Sequence, residues 1–242
     1  MLKKLTRLVH KNYGKCAAVI VAAGTASRMR GIDKVLAPLE GEPLLARTIS
    51  MFQESSVIHQ IVVVAREDLV SQISRLCQQR GFDKVSLITT GGETRVHSVM
   101  NGLDCVSKDI DLVAIHDGAR PFVTAQIIEQ TVRRAADHHA AAPAIPVKDT
   151  IKVAENRVVT GTPDRSTLFA VQTPQVFDFD LLRGALQNAI DKELPITDDC
   201  SAVEALGMSV FLTEGSEENI KVTTPMDLQI AEAILRLRRE SK

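Results

Sequence analysis

The sequence predicts an α/β protein whose core is a three-layer α/β/α, doubly wound and mostly parallel sheet, and three observations carry that prediction. Short apolar runs alternate with stretches of helical period, the runs are apolar on both faces, and polar loops containing glycine follow them. A strand with no polar face needs helices on both sides of its sheet, which favours parallel pairing through right-handed crossovers. The ligand of such a sheet belongs outside the carboxyl ends of the strands.

The elements follow in order. Strands are expected at Ala17 to Ala22, Ile61 to Ala65, Val85 to Thr90 and Leu112 to Ile115. Between them, Leu69, Val70, Ile73, Leu76 and Cys77 share one face of a helix over Asp68 to Arg80. Val96, Val99, Met100, Leu103 and Val106 do the same over Thr94 to Ser107. After Val147 the rhythm breaks: TIKVAENRVVTGTPDR alternates apolar and polar residues around a turn at Ala154 to Arg157, the pattern of a projecting β-hairpin. Two readings of it stay open, a solvated surface hairpin or an arm whose exposed edges a partner subunit covers. The chain then returns to a strand at Leu168 to Gln172, helices near Leu181 to Lys192 and Cys200 to Leu206, and a strand at Val210 to Thr213. Thr224 as N-cap, Pro225 at the first position and Asp227 in the first turn open the closing helix.

The bulk numbers narrow the function. At 242 residues, with no linker, repeat or low-complexity tract, the simplest organisation is one domain over residues 16–242 behind a basic extension, residues 1–15. Basic residues number 29 and acidic ones 30, so no global field holds nucleic acid or an anionic membrane. Aromatics make up 3%, with no Trp and one Tyr, which argues against base-stacking platforms. A base, if one is bound, is read by its edge. Cys16, Cys77, Cys105 and Cys200 show neither disulfide nor zinc spacing, which suits a reducing cytoplasm. The prefix lacks the apolar core of a signal peptide, and no apolar run is long enough to span a bilayer.

The chemistry lies in the loops. Gly24 after the first strand begins a loop that carries Arg28, Arg30 and Lys34. It lacks the further glycines of the dinucleotide fingerprint and the GK[ST] of a P-loop, so by itself it is either a phosphate-neutralising loop or a solvated basic one. AIHDGARPF sets Asp117 and Arg120 just after a buried strand, where an acid can hold a metal and a base can meet an anion. His116 reads as a hydrogen-bonded packing residue in preference to a catalyst. In TTGGETRVHSV the paired glycines Gly91 and Gly92 let main chain approach a ligand, with Ser98 nearby. PVKDTIK, AVQTPQ and PITDDCS each place a Thr beside a polar neighbour, suited to a polyol or a phosphate. Arg165 follows the hairpin and Lys221 precedes the last helix.

Taken in order, AAGTASRM with Lys34, GGETRVHSV, HDGARP, PVKDTIK, QTPQVF, ITDDCSAVE and ENIKVTTPMDL closely resemble the 2-C-methyl-D-erythritol 4-phosphate cytidylyltransferase family, from about Ala17 to the last helix. The resemblance implies the nucleotide-diphospho-sugar transferase type of sheet, with residues 149–167 as a β-arm that clasps a second subunit in a homodimer. It implies that Arg28 and Lys34 stabilise charge at the α-phosphate of CTP, and that Arg165 and Lys221 position the acceptor phosphate. Asp117, Arg120, Thr150, Thr173 and Thr197 match the substrate pocket. Ala22, Ala23, Gly24, Gly92, Glu93 and Ser98 match positions around the cytidine. Asp117 is also the candidate metal ligand, and Mg²⁺ with CTP the expected cofactor. Two departures, Ala26 where relatives carry glycine and Glu93 where Asp is frequent, predict altered CTP contacts. Rival readings are a ribitol 5-phosphate cytidylyltransferase, a sugar-1-phosphate nucleotidylyltransferase using another base, and a non-catalytic nucleotide sensor.

Overall fold

The computed structural model describes residues 13–24 and 35–240. Among these residues the centre is an eight-stranded mixed sheet, and β2 (Pro38–Leu39) and β3 (Glu42–Pro43) form a separate antiparallel pair. Strand β1 (Cys16–Ala22) pairs in parallel with β4 (Ile58–Ala65) on one side and with β6 (Leu112–Asp117) on the other, and β4 pairs in parallel with β5 (Val85–Thr90). From β1 the chain steps outward through β4 to β5 and then returns to the far side of β1 as β6. The winding therefore reverses between β1 and β6, and this is the place where a doubly wound sheet opens a crevice at its strand ends.

Beyond β6 the sheet departs from the predicted βα rhythm. Strands β10 (Phe169–Val171) and β11 (Gln175–Asp178) both run antiparallel to β7 (Ala140–Pro146), and β11 is also antiparallel to β6. The two are halves of one interrupted strand along a single edge of β7, separated by Gln172, Thr173 and a cis Thr173–Pro174 peptide. β12 (Phe211–Glu214) lies parallel on the other edge of β7.

Alternation along β1 divides the core. Ala18, Ile20 and Ala22 pack under α1 (Leu44–Glu54), α2 (Val70–Arg80) and α4 (Ala125–His138), through Ile49, Phe52, Ile73, Ile128 and Val132. Val19, with Val62, Val64 and Ile115, faces α3 (Arg95–Leu103), α5 (Phe179–Asp191) and α6 (Asp199–Glu204) through Val99, Leu103, Leu182 and Val203. Gly102 sets the α3 spacing, because a Cβ there would lie 2.5 Å from Val19 Cγ1 and 2.8 Å from Val64 Cγ2. A third, smaller cluster seats α7 (Pro225–Glu240) on Leu39, Leu44 and Phe122. α7 opens as the sequence predicted: Thr224 Oγ1 accepts from the Asp227 N–H, and Asp227 Oδ2 accepts in return from the Thr223 and Thr224 N–H groups.

The hairpin is also present. β8 (Val153–Glu155) and β9 (Val158–Gly161) form their own two-stranded sheet, and the turn residues Asn156 and Arg157 both have positive φ, as a two-residue primed turn requires. Val153, Val158 and Val159 are 52%, 67% and 56% exposed. The four cysteines are free, and no helix of the described residues is long and apolar enough to cross a membrane.

Candidate active site

Where the winding reverses, a cavity of about 360 Å³ opens against the ends of β1, β5 and β6. All six residues that the resemblance places around cytidine, Ala22, Ala23, Gly24, Gly92, Glu93 and Ser98, line it, and Asp117 and Lys221 join them. Arg28, Lys34 and Ala26 lie outside the described residues.

One wall comes from the loop between β5 and α3. Gly91 donates its N–H to Ala65 O at 2.9 Å, which fixes the loop to β4, and it must be glycine because a Cβ would stand 2.4 Å from Ala23 Cβ. Gly92 N–H donates to Ser98 Oγ at 3.1 Å, and that hydroxyl donates to Thr94 O at 2.9 Å. Ser98 is thus a brace for the loop from within α3, while Thr94 caps the helix by accepting from the His97 N–H. The result is a narrow cleft between two main-chain segments, whose amide and carbonyl groups suit the edge of a base.

The opposite wall follows β6. Asp117 is buried, and Lys221 Nζ at 3.0 Å and Arg120 Nε at 3.2 Å both converge on its Oδ2. Burial pushes the Asp117 carboxyl up, but Lys221, Arg120 and Arg95 outweigh it and bring it down to about 2. Arg120 donates a second bond to Asn219 O at 2.7 Å, tying the end of β6 to the segment before α7.

Behind Asp117 runs a chain of hydrogen bonds. The Asp117 N–H donates to Thr173 Oγ1 at 3.1 Å, Thr173 Oγ1 lies 3.0 Å from His116 Nδ1, and His116 Nε2 lies 3.1 Å from Arg120 O. A carbonyl can only accept, so Nε2 carries the proton and Nδ1 accepts from the Thr173 hydroxyl. Burial of the imidazole lowers its pKa to about 4 and keeps it neutral. His116 is therefore a packing and bracing residue, as the sequence reading held.

Other expected residues lie elsewhere. Thr173 is buried and committed to this chain, not to the cavity lining. Thr150 is exposed at the approach to the hairpin, and Thr197 is exposed with its N–H bonded to Ser201 Oγ. Arg165 is exposed at the hairpin base and donates to Lys148 O at 2.8 Å. Arg120 stands behind Asp117 and outside the lining.

Sequence reasoning passed over Arg95 and Asp199. Arg95 lines the cavity and forms a bidentate pair with the fully buried Asp199, Nη1 to Oδ1 at 2.8 Å and Nη2 to Oδ2 at 2.6 Å. Burial alone would lower the Arg95 pKa, and the Asp199 carboxylate more than reverses this, so the guanidinium stays charged. A cation at the positive end of a helix was the available signal, since that position favours acids.

The fold and this cleft define a nucleotide-binding α/β protein of the nucleotidyltransferase class. A family model described as IspD, 2-C-methyl-D-erythritol 4-phosphate cytidylyltransferase, matches residues 16–237. The chain belongs to that family. It is 44% identical over 235 residues, 96% of this chain and 100% of the other, to a protein of Alkaliphilus oremlandii named 2-C-methyl-D-erythritol 4-phosphate cytidylyltransferase. One of the same name from Halalkalibacterium halodurans is 46% identical over 220 residues, covering 90% of this chain and 96% of the other. Among solved structures, 4-diphosphocytidyl-2C-methyl-D-erythritol synthase from Anaerococcus prevotii superposes with a TM-score of 0.83 at 27% identity, covering 93% of this chain and 97% of that one.

Proposed function

We infer that the protein transfers the cytidylyl group of CTP to 2-C-methyl-D-erythritol 4-phosphate, releasing pyrophosphate and giving 4-diphosphocytidyl-2-C-methyl-D-erythritol, a step in isoprenoid precursor biosynthesis. The observation that carries the reading is the cavity at the point of reversal, where six cytidine-type residues meet the Asp117–Lys221 pair in a chain that matches the family from residue 16 to residue 237.

The reaction needs no side-chain nucleophile. A phosphate monoester has its second pKa near ~6, so the acceptor is largely dianionic at neutral pH and attacks the α-phosphorus directly, with pyrophosphate leaving in line. The barrier comes from bringing two anions together, and cations lower it. Arg28 and Lys34 take this role at the α-phosphate. Lys221 and Arg165 hold the acceptor phosphate, and Asp117 and Arg120 set the position of Lys221. Thr150 and Thr197 shape the acceptor side, and Thr173 braces the Asp117 amide from behind.

Mg²⁺ fits this donor set in one way. Among the described residues no group of three His, Cys, Asp or Glu side chains could hold a metal, so a protein cage is not available. A nucleotide-bound Mg²⁺ takes one or two carboxylates and fills its remaining positions with phosphate and water. Asp117 offers that carboxylate, since both cations occupy the same oxygen. Bound with the triphosphate, the ion neutralises charge on it.

The apolar hairpin supports a homodimer in which residues 149–167 clasp a second copy, placing Arg165 at the interface. Four free cysteines favour a cytoplasmic location. The deciding experiment is pyrophosphate release with Mg²⁺ and CTP, comparing methylerythritol 4-phosphate with ribitol 5-phosphate. Preference for the former upholds the reading, preference for the latter changes the acceptor, and no release with either rejects it.

A further inference from the structure

We propose that the Arg95–Asp199 ion pair is a positioning device that fixes the distance between the nucleotide side and the acceptor side of the cleft. The proposal rests on the functional reading above and adds to it two residues that touch neither reacting group by necessity.

The placement of the pair is the first argument. Arg95 is the opening residue of α3 and continues the Gly92–Thr94 wall, where the cytidine positions lie. Asp199 opens α6, two residues after Thr197 on the acceptor side. The bond between them ties the cavity-lining start of α3 to the buried start of α6, with Nη1 on Oδ1 and Nη2 on Oδ2. Such a fork fixes orientation as well as distance.

Asp199 is itself rigidly held. Its N–H and that of Cys200 both donate to Gln175 Oε1, at 3.1 and 3.2 Å, and Gln175 Nε2 donates to Asp198 Oδ2 at 2.7 Å. Gln175 begins β11, so the start of α6 is anchored to the central sheet. Asp198 and Ser201 close a capping box over the same turn. The pair thereby transmits the position of β11 and α6 to α3 and its loop.

The energetics argue against stability as the purpose. Asp199 is fully buried, and taking a carboxylate out of water carries a penalty that its ion partner at best balances. At the start of α3, Arg95 also sits against the helix dipole. Asp199 in the first turn of α6 is favoured by that helix's dipole and so offsets the cost at α3, which leaves desolvation without a clear net return and the fork explained by what it positions. Misplacement of reacting groups by about 1 Å costs on the order of 10²-fold in rate, and α3 and α6 carry the two sides that must meet at that precision.

The test is steady-state kinetics of pyrophosphate release, with both substrates varied, beside thermal unfolding. Asp199→Asn keeps the shape and loses the fork; kcat is expected to fall about 10- to 100-fold, with both KM values within about threefold of the parent. Because that variant leaves Arg95 unpaired, the double variant Arg95→Met with Asp199→Leu serves as the second arm. It buries no orphan charge, and its unfolding midpoint is expected to match or exceed the parent's while kcat falls as in Asp199→Asn. Arg95→Lys with Asp199→Glu, which restores an ion pair of similar span, is expected to regain part of the lost kcat. A double apolar variant with kcat within about twofold of the parent, or losses seen only in KM, would overturn the proposal. Absence of pyrophosphate release from the parent protein would instead reject the functional reading beneath it.

Discussion

Lys221 Nζ lies 3.0 Å from Asp117 Oδ2, so the segment before the last helix is clamped to the end of the central strand β6. Asp117 is buried and the Lys221 side chain is 42% exposed, so the ammonium faces the cavity while the carboxylate holds it from behind. The pair is polar machinery, with Arg120 as its second brace.

Lys221→Met is therefore expected to raise KM for the acceptor by at least about tenfold, with KM for CTP within about threefold, because the lost contact serves one substrate only. It also removes the strongest cation acting on Asp117, whose pKa then climbs from about 2 toward 3.8. A depressed carboxyl pKa contributes stability that is present above the unfolded value and lost as pH falls through the folded one. Urea unfolding between pH 5 and 2 should therefore show a smaller fall in stability in the variant than in the parent.

Gly91→Ala tests the nucleotide wall. The new Cβ meets Ala23 Cβ at 2.4 Å, and neither atom has a torsion with which to escape, so the loop must move away from β1. KM for CTP is expected to rise about tenfold or more while the acceptor KM changes little. Equal CTP affinity in the two proteins, read by isothermal calorimetry, would show that the cleft does not depend on this contact.

His116 gives a distinct acid window. Its folded pKa near 4 is below its ordinary 6.5, because burial disfavours the imidazolium. Between those values the unfolded chain binds the proton and the folded one does not, so stability falls as pH drops from 6.5 to 4, by about 3 kcal/mol in all. His116→Gln has no proton to gain, and its stability across this window should be flatter than the parent's. A parallel profile in the two would assign the slope to other groups.

Much of this was legible in the sequence, and the reasons are physical. The parallel half of the sheet could be read because β1, β4 and β6 are apolar on both faces, and hairpin β8–β9 because alternation and a turn are local signals. The antiparallel return of β10 and β11 could not be read, because strand direction depends on which neighbour a strand meets, and Gln175 reveals no partner in sequence. The glycine wall announced itself through Gly91 and Gly92. Arg95 and Asp199 did not, since each resembles an ordinary surface charge until the fold brings α3 and α6 together. Thr173 was found for its hydroxyl, but the structure spends that hydroxyl on His116 and the Asp117 amide.

Arg28→Ala and Lys34→Ala address the cationic loop directly. Each should lower kcat on the order of 10²-fold, or about 3 kcal/mol of transition-state stabilisation, because in the proposed mechanism they meet charge that develops at the α-phosphate during transfer. Circular dichroism and the unfolding midpoint should match the parent. Normal turnover in either purified variant would remove that residue from the mechanism.

The hairpin supplies the last prediction. Val158 and Val159 are adjacent on β9, so their side chains point to opposite faces of the ribbon, and both are more than half exposed. A two-stranded ribbon apolar on both faces is marginal in water and is best explained by burial against a second molecule. Val158→Glu with Val159→Lys leaves the turn at Asn156 and Arg157 intact and does not touch the main sheet, so the fold should persist. Sedimentation velocity is expected to show a dimer for the parent and a monomer for the double variant. On the proposed arm-clasped dimer, activity should fall with dissociation, because Arg165 at the hairpin base would lose the position that the partner enforces. A variant that sediments as the parent does would rule out the arm as the dimer contact, and a monomeric variant with full activity would show that Arg165 acts within its own chain.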